Sequence, residues 1–169
     1  AACDCGQEIL DRFIDPAGGF FDTAHDHENL ISRPKSLQDS PTPSGNSMAA
    51  ALLLRLAAFS GESSYEQPAN EMIAAMQASA ARHPTAFAHW LNQLDFALGP
   101  QLQLAIVGQR QEAEFMDLVQ VAWGRYSPRL VLAASPAPSD EEPPLLHQRK
   151  ALDGKATAFL CQGFTCQVP

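Results

Sequence analysis

Apolar residues recur at helical spacing through most of the first hundred positions of the chain. This pattern predicts four helices, at residues 7–14, 48–59, 63–82 and 85–98, separated by turns that contain glycine or proline. The second helix, MAAALLLRLAAF, is apolar almost all round and should therefore be buried. Short connections between consecutive helices predict antiparallel hairpins.

The ends and faces of these helices carry further signals. Ser63 and Glu66 fit a capping box at the start of the third helix. The run 44–47, SGNS, offers several N-cap residues to the second helix. The side chains predicted to face inward are Ile9, Leu10, Phe13 and Ile14 in the first helix, Tyr65, Ala69, Met72, Ile73, Met76 and Ala80 in the third, and Phe87, Trp90, Leu91 and Leu94 in the fourth.

The pattern changes after residue 101. LQLAIVG at 102–108 and RLVLAA at 129–134 are short β-rich runs, and residues 110–125 between them are helical in spacing. This order predicts a βαβ unit with parallel strands and a right-handed crossover. The segment 156–168 predicts one or two further strands.

The fold class predicted is mixed α and β, with helical hairpins at 1–99, including a long polar loop at 20–47, followed by a small α/β part at 101–169. A length of 169 residues suits one domain, or one domain with a small appendage. With 46% hydrophobic and 18% charged residues, a buried core is expected.

Charge and hydropathy exclude some classes of protein. A net charge of -8 argues against a nucleic-acid surface, since phosphate contacts need clustered Lys and Arg. The chain has no apolar run of 18 residues, so no membrane span is expected. The first residues, AACDCGQEILDRF, have neither a basic end nor an apolar signal core, which is typical of a chain cut from a longer protein. The expected location is cytoplasmic.

The polar loop at 20–47 is the predicted functional site, because polar groups on a loop held by an apolar scaffold commonly carry function. Its carboxylates could act as acid and base in glycoside hydrolysis, and its histidine could move a proton in an epimerase. On this interpretation the catalytic residues are Asp26, His27 and Glu28. The substrate-binding residues are Asp22, Arg33, Lys35, Asp39, Ser44 and Asn46, with the last two near a helix N-terminus that favours anions.

A structural interpretation of the same loop competes with the catalytic one. Asp22 and Asp39 could cap turns, and Ser44 and Ser47 could cap the helix that follows. Arg33 could pair with Asp26 or Glu28 as a clamp.

Metal and cofactor sites are not predicted. The run 25–28, HDHE, has ligand types that suit zinc, but its two histidines would point to opposite faces of an extended segment. His89, beside Trp90, is predicted to be a partly buried packing residue. Gly108 after the first strand falls far short of a G-x-G-x-x-G nucleotide motif.

Four cysteines form two close pairs, Cys3 with Cys5 and Cys161 with Cys166. The spacing of neither pair is the C-x2-C of common zinc sites. Cys161 and Cys166 could face each other across a hairpin that turns at Gln162-Gly163. The favoured interpretation is reduced thiols in a cytosolic protein.

The polar loop resembles a known family. The run FFDT-x-x-DHE-x-L-x-x-RPK-x-x-x-D-x-x-x-PSGNS is similar to one in the C-terminal region of thioredoxin-domain-containing proteins related to spermatogenesis-associated protein 20. Further matches are LLRLA at 53–57, LDFALGP at 94–100, IVG at 106–108 and LDGKATAFLC…FTCQVP at the end. One departure is the Ser40-Pro41 pair after Asp39, where the family often has Gly-Ala.

The resemblance implies an (α/α)6 toroid similar to six-hairpin glycosidases and N-acylglucosamine 2-epimerases, preceded in whole members by a thioredoxin-like domain. The expected ligand is a sugar, and any catalysis would be hydrolysis or epimerisation. The alternative is a non-enzymatic interaction or structural module that supports the thioredoxin-like domain. A third interpretation is disulfide exchange between that domain and Cys161 with Cys166. If the toroid is incomplete, helix 48–59 should leave an exposed apolar patch or drive self-association.

Overall fold

The structure is a computed structural model that describes residues 2–28, 31–109, 112–136, 138–139 and 142–169. Leu30 of the polar motif, Arg110 of the predicted fifth helix, and parts of the 135–144 loop lie outside the described residues. Within them the fold is mixed α and β. Its helices are α1 (Ala2–Arg12), α2 (Gly45–Ser60), α3 (Ser63–Arg82), α4 (Ala88–Leu98) and α5 (Ala113–Trp123), and its strands are β1 (Leu102–Val107), β2 (Leu130–Ser135), β3 (Thr157–Gln162) and β4 (Thr165–Cys166).

The chain divides into two compact units. The first unit comprises residues 1–57 and 62–98, and the second comprises 58–61 and 99–169. The polar loop belongs to the first unit and the sheet to the second. In the described residues, no helix has both the length and the apolar character to cross a bilayer.

Helix α1 begins at Ala2 rather than at the predicted Gln7, and it ends at Arg12. Ile14 lies outside it and is 45% exposed, so its predicted inward position is wrong. The part of α1 that precedes the predicted start includes Gly6, which is buried. A Cβ there would lie 2.3 Å from Cδ1 of Leu56, so glycine lets α1 and α2 approach closely.

Helix α2 is buried, as its uniform apolar sequence predicts. Leu53, Leu54 and Leu56 are each at most 5% exposed. Met48, at 51%, is the one large apolar side chain of α2 that is exposed, so the expected apolar patch is wrong, whereas the alternative expectation of self-association stays a prediction. Its N-cap is Ser44, whose Oγ accepts a hydrogen bond from the backbone N–H of Ser47 at 3.2 Å.

Helices α3 and α4 pack against each other, joined by a 3₁₀ turn at Pro84–Ala86. The predicted stripe of α3 is confirmed, since all six of its members are buried. The capping box is wrong, because the N-cap is Glu62 and Ser63 is already helical. In α4 the buried side chains are Trp90, Gln93 and Phe96, whereas Leu91 is 37% exposed and was wrongly assigned to the core.

The second unit contains the predicted βαβ segment. Strands β1 and β2 are parallel, with α5 between them in sequence. Strand β3 pairs antiparallel with β1, and β4 pairs antiparallel with β3, which gives the sheet order β2-β1-β3-β4. The segment 156–168 thus supplies two strands.

A buried amide on β1 joins two distant segments of the second unit. Gln103 is 3% exposed. Its Nε2 donates to the carbonyl oxygen of Ala58 at 2.6 Å, and its Oε1 accepts from the N–H of Phe164 at 2.8 Å. Because both ends of the side chain are bonded, its burial leaves no unpaired polar group.

The β3–β4 hairpin turns at Gly163 and Phe164, which have φ values of 54° and 62°. Positive φ at both central residues is the type I′ geometry that two-residue hairpins favour. This register places Cys161 opposite Cys166, and a disulfide joins them. The favoured interpretation of reduced thiols is therefore wrong for this pair, whereas Cys3 and Cys5 are free and exposed.

Candidate functional site

The polar loop contains two segments in opposite environments. In the outer segment, residues 22–28, every charged side chain is exposed. In the inner segment, residues 39–47, Asp39, Ser44, Asn46 and Ser47 are each at most 7% exposed. The predicted site residues are therefore not gathered at one solvent-accessible centre.

Asp39 is the main acceptor of the inner segment. Its Oδ1 accepts from the N–H of Ser44 at 2.9 Å and from the hydroxyl of Ser47 at 2.8 Å. Its Oδ2 accepts from the N–H of His89 at 2.9 Å. Asp39 thus contacts the first turns of α2 and α4, where the helix dipoles favour a negative charge.

The hydrogen bonds that Asp39 accepts favour its charged form. Burial by itself would raise its pKa, but the hydrogen bonds from Ser44, Ser47 and His89 outweigh burial and hold the pKa below its ordinary value. A carboxylate held in its charged form stabilises the loop and is a poor general acid.

Ser47 and His89 extend this network in an order that does not suit nucleophilic catalysis. His89 Nδ1 lies 3.1 Å from Ser47 Oγ, and Ser47 Oγ donates to Asp39. In a catalytic triad the histidine lies between the other two side chains and takes the serine proton. Ser47 is also fully buried. The three side chains are therefore a structural chain of hydrogen bonds.

The network continues from His89 along α4. Gln93 Nε2 donates to the carbonyl oxygen of His89 at 3.1 Å, and Gln93 Oε1 accepts from Arg55 Nη1 at 3.0 Å. The Arg55 guanidinium lies 4.8 Å from the centre of the Phe96 ring. Sequence reasoning assigned His89 to packing and missed its polar role. The His89–Gln93 spacing of four residues along one helix face was the available signal.

Asn46 joins the start of the loop to its end. Its Oδ1 accepts from the N–H of Phe20, and its Nδ2 donates to the carbonyl oxygen of Phe20, both at 2.8 Å. Nδ2 also donates to the carbonyl oxygen of Ser36 at 3.1 Å. The Asn46 amide therefore satisfies buried backbone groups of the loop. The prediction of Asn46 as a substrate-binding residue did not include this role.

Asp22 also binds the loop backbone. It accepts from the N–H of Ser36 at 3.0 Å and from the Ser36 hydroxyl at 2.6 Å. Its own N–H donates to the carbonyl oxygen of Pro34 at 2.9 Å. Asp22 thus holds the two sides of the loop together through a contact 14 positions away, so its role is structural but is not the predicted capping of a local turn.

Arg33 and Lys35 are engaged within the loop as well. Arg33 donates to the carbonyl oxygen of Thr23, and its guanidinium lies 4.0 Å from the centre of the Phe21 ring. The predicted pairing of Arg33 with Asp26 or Glu28 is wrong. Lys35 forms an ion pair with Asp15 at 2.5 Å, and this contact lowers the pKa of Asp15.

The three predicted catalytic residues lie on the exposed outer segment. Asp26 accepts from Arg12 Nη2 with both carboxylate oxygens, at 2.6 and 2.7 Å. This bidentate contact holds the pKa of Asp26 below its ordinary value. His27 and Glu28 follow in the sequence and are exposed.

Two clefts of the first unit lie against the loop. The larger, about 450 Å³, is lined by the backbone of Gly18 and Gly19 and by Lys35, Glu71 and Met72 among others. The smaller, about 290 Å³, includes Asp22 and Asn46 in its lining. Among the described residues, no three His, Cys, Asp or Glu side chains converge as metal ligands would.

Comparison with known proteins points to one family, although no protein-family profile matches the chain. The chain is 32% identical to spermatogenesis-associated protein 20 of Homo sapiens, over 96% of its own length and 22% of the relative. Identity to the proteins of the same name from Mus musculus and Rattus norvegicus is 29% and 28%, with the same coverage. These similarities support a relationship to that family. The chain spans about a fifth of the length of the curated relatives it matches.

Proposed function

We propose that this region is a non-enzymatic structural and protein-interaction module of a longer protein. The observation that carries the proposal is the use of the polar side chains in the inner segment. Asp39, Asn46 and Ser47 bond to the backbone of the chain or to one another. Buried groups satisfied in this way stabilise the fold and have little capacity left for a ligand.

The outer segment supports the same proposal. A glycosidase needs two carboxyl groups that flank the scissile bond, and one of them needs a raised pKa to act as the acid. Asp26 is instead exposed, bonded to Arg12 through both oxygens, and lowered in pKa. These features suit a surface clamp between α1 and the loop.

The interaction surface we propose is the outer face of α5. This helix is rich in apolar residues, yet Phe115 is its one buried side chain among those described. Met116, Val121 and Trp123 are 50%, 73% and 72% exposed. Large apolar side chains exposed on one short helix mark a contact surface.

The occupant we propose for this face is another segment of the same longer protein. About four-fifths of the sequence of the curated relatives lies outside the part that this chain matches. Glu114 and Asp117 lie on α5 beside the apolar residues, so the occupant should be apolar with a basic rim. The proposed setting is an (α/α)6 toroid next to a thioredoxin-like domain, and the α3–α4 pair is the kind of unit that such a toroid repeats.

The test is binding in trans to human spermatogenesis-associated protein 20 from which the region aligned with this chain has been removed. Size-exclusion chromatography with light scattering should detect a one-to-one complex. The double variant Met116→Lys with Trp123→Lys should lose the complex, because two charges would be buried in an apolar contact.

Val168→Lys is the matched control, since Val168 is a 95% exposed apolar residue of the second unit that lies outside α5. It should bind as the wild type does. Self-association of the isolated chain that the α5 variant abolishes would instead assign the face to a second copy. Binding that survives the double variant would refute α5 as the surface.

Sugar binding is the second candidate function, and the larger cleft favours it. Lys35 and Glu71 place two polar groups on a wall that also contains Met72, Met76 and Trp90. Pockets with an apolar lining and a few polar groups are typical small-molecule sites.

A thermal-shift screen against monosaccharides, uronic acids and disaccharides tests this candidate. If a sugar occupies the cleft, it should raise the melting temperature of the wild type and of Asp26→Asn but not of Glu71→Gln. If Asp26→Asn alone loses the shift, the ligand binds the outer segment. The absence of any shift with the wild type would rule the candidate out.

A further inference from the structure

The disulfide of the second unit lies beside a cation. Nη2 of Arg149 is 2.7 Å from Sγ of Cys166 and 3.5 Å from Sγ of Cys161. The Arg149 side chain is held in this position by the carbonyl oxygens of Leu145 and His147, to which Nη1 donates. A guanidinium fixed beside both sulfurs would stabilise a thiolate formed on either one.

A cleft gives access to the same two sulfurs. It has a volume of about 340 Å³ and is lined by both cysteines and by Leu102, Leu160, Gln162, Thr165 and Gln167. Cys161 is 2% exposed, whereas Cys166 is only half-buried. A thiol that enters the cleft would therefore meet Cys166 first.

We propose that Cys161 and Cys166 form a thiol–disulfide exchange centre that takes an exposed dithiol as its reductant, with Arg149 as the positioning residue that stabilises the departing thiolate. The proposal rests on the pairing of the cysteines, on the Arg149 guanidinium beside both sulfurs and on the cleft that reaches them. It is independent of the interaction surface on α5 and of any sugar site.

The exchange balances in two steps. A thiolate of the reductant attacks Cys166 Sγ, the bond between Cys166 and Cys161 breaks, and Cys161 leaves as a thiolate. The second thiolate of the reductant then attacks the reductant sulfur of the mixed disulfide, and Cys166 leaves as a thiolate. Two electrons pass from the dithiol to the protein, the reductant becomes a disulfide, and solvent supplies any protons that the two cysteines take up.

Arg149 acts in both steps because its Nη2 contacts both sulfurs. A thiolate leaves faster when its conjugate thiol has a lower pKa, and a neighbouring guanidinium lowers that pKa. Removing the charge should therefore slow the exchange, on the order of tenfold for a change of one to two pKa units in the leaving thiol.

The test uses the full chain with Cys3→Ser and Cys5→Ser, so that the reporting thiols come from the hairpin. The disulfide is reduced with dithiothreitol under native conditions, and the new thiols are alkylated and counted by mass spectrometry over time. The disulfide of the Arg149→Met variant should be reduced about tenfold more slowly than that of its parent. Arg125→Met, which removes an exposed arginine elsewhere in the second unit, should reduce at the parental rate.

Destabilisation cannot imitate the expected result. A variant that unfolds more easily exposes its disulfide and is reduced faster, whereas loss of thiolate stabilisation slows reduction. An Arg149→Met rate equal to or above the parental rate would overturn the proposal.

A second measurement needs no arginine variant. The rate of Cys166 alkylation by iodoacetamide in the reduced parental protein is followed against pH. A midpoint below the ordinary cysteine value of about 8.5 is expected, because the guanidinium favours the thiolate. A midpoint at or above that value would refute the role of Arg149.

Discussion

The outer and inner segments of the polar loop each contain an aspartate that accepts hydrogen bonds, but the two aspartates have different physical roles. Asp26 in the outer segment is exposed and bonded to one arginine, whereas Asp39 in the inner segment is buried and accepts from three groups. A charged hydrogen bond in a buried site contributes more than an exposed ion pair, because water competes less well for it. Residue type alone cannot distinguish the two roles, since both are carried by an aspartate.

The largest difference between the segments should come from Asp39→Ala. The substitution leaves the N–H groups of Ser44 and His89 without their acceptor, and the hydroxyl of Ser47 keeps only the carbonyl oxygen of Ser44. We expect the free energy of unfolding to fall by about 3 kcal/mol, from the loss of charged hydrogen bonds at the first turns of α2 and α4. Urea denaturation followed by circular dichroism measures it, with Glu28→Ala as a control that should change little.

Asn46→Ala should produce the next largest effect. It removes the partners of the Phe20 N–H and of two carbonyl oxygens in the loop. We expect a loss of about 2 kcal/mol in the free energy of unfolding, with faster hydrogen exchange at Phe20. Unchanged exchange at Phe20 would show that Asn46 does not hold the loop.

Acidification provides a smaller but specific contrast. The pKa of Asp39 is lower in the folded chain than the ordinary value of an aspartate, 3.8. As pH falls, the unfolded state therefore binds the proton before the folded state does. The stabilisation by the charged Asp39 is fully present above the pKa of the unfolded state and is lost as pH falls through the pKa of the folded state. The stability difference between the wild type and Asp39→Asn should shrink below about pH 4. A difference independent of pH would mean that Asp39 is not charged in the fold.

Asp26→Asn should have the smallest effect on stability. Its carboxylate is exposed, and exposed ion pairs contribute little. The melting temperature should stay near that of the wild type, and added salt should change the two proteins alike. A large loss of stability would place Asp26 among the structural groups and remove the contrast with Asp39.

The local features of this chain were predictable to the extent that neighbouring residues determine them. The parallel βαβ segment and the buried stripe of α3 follow from periodicity, and the structure confirms both. Ser44 as the N-cap of α2 follows from a short SGNS run. In each case the deciding interactions lie within a few residues of one another or repeat at a fixed spacing.

The features that sequence reasoning missed depend on distant contacts. Asp39 meets the N–H of His89, 50 positions away, and only the fold could bring them together. Whether Cys161 and Cys166 pair depends on the register of a hairpin whose turn includes Phe164 at positive φ, a conformation unusual for a bulky residue. The part of α1 that was not predicted includes Gly6, which packs against Leu56 at a distant position in the sequence.

Gln103 gives the second unit a boundary that is discontinuous in sequence. The amide bonds to Ala58, 45 residues earlier, and to Phe164, 61 residues later. Anyone who excises residues 99–169 for separate expression would discard the acceptor of that amide and leave a buried donor unpaired. The short piece 58–61 would have to be retained by circular permutation or supplied as a peptide. The shortest set of residues that keeps this sheet intact is therefore longer than the sheet itself.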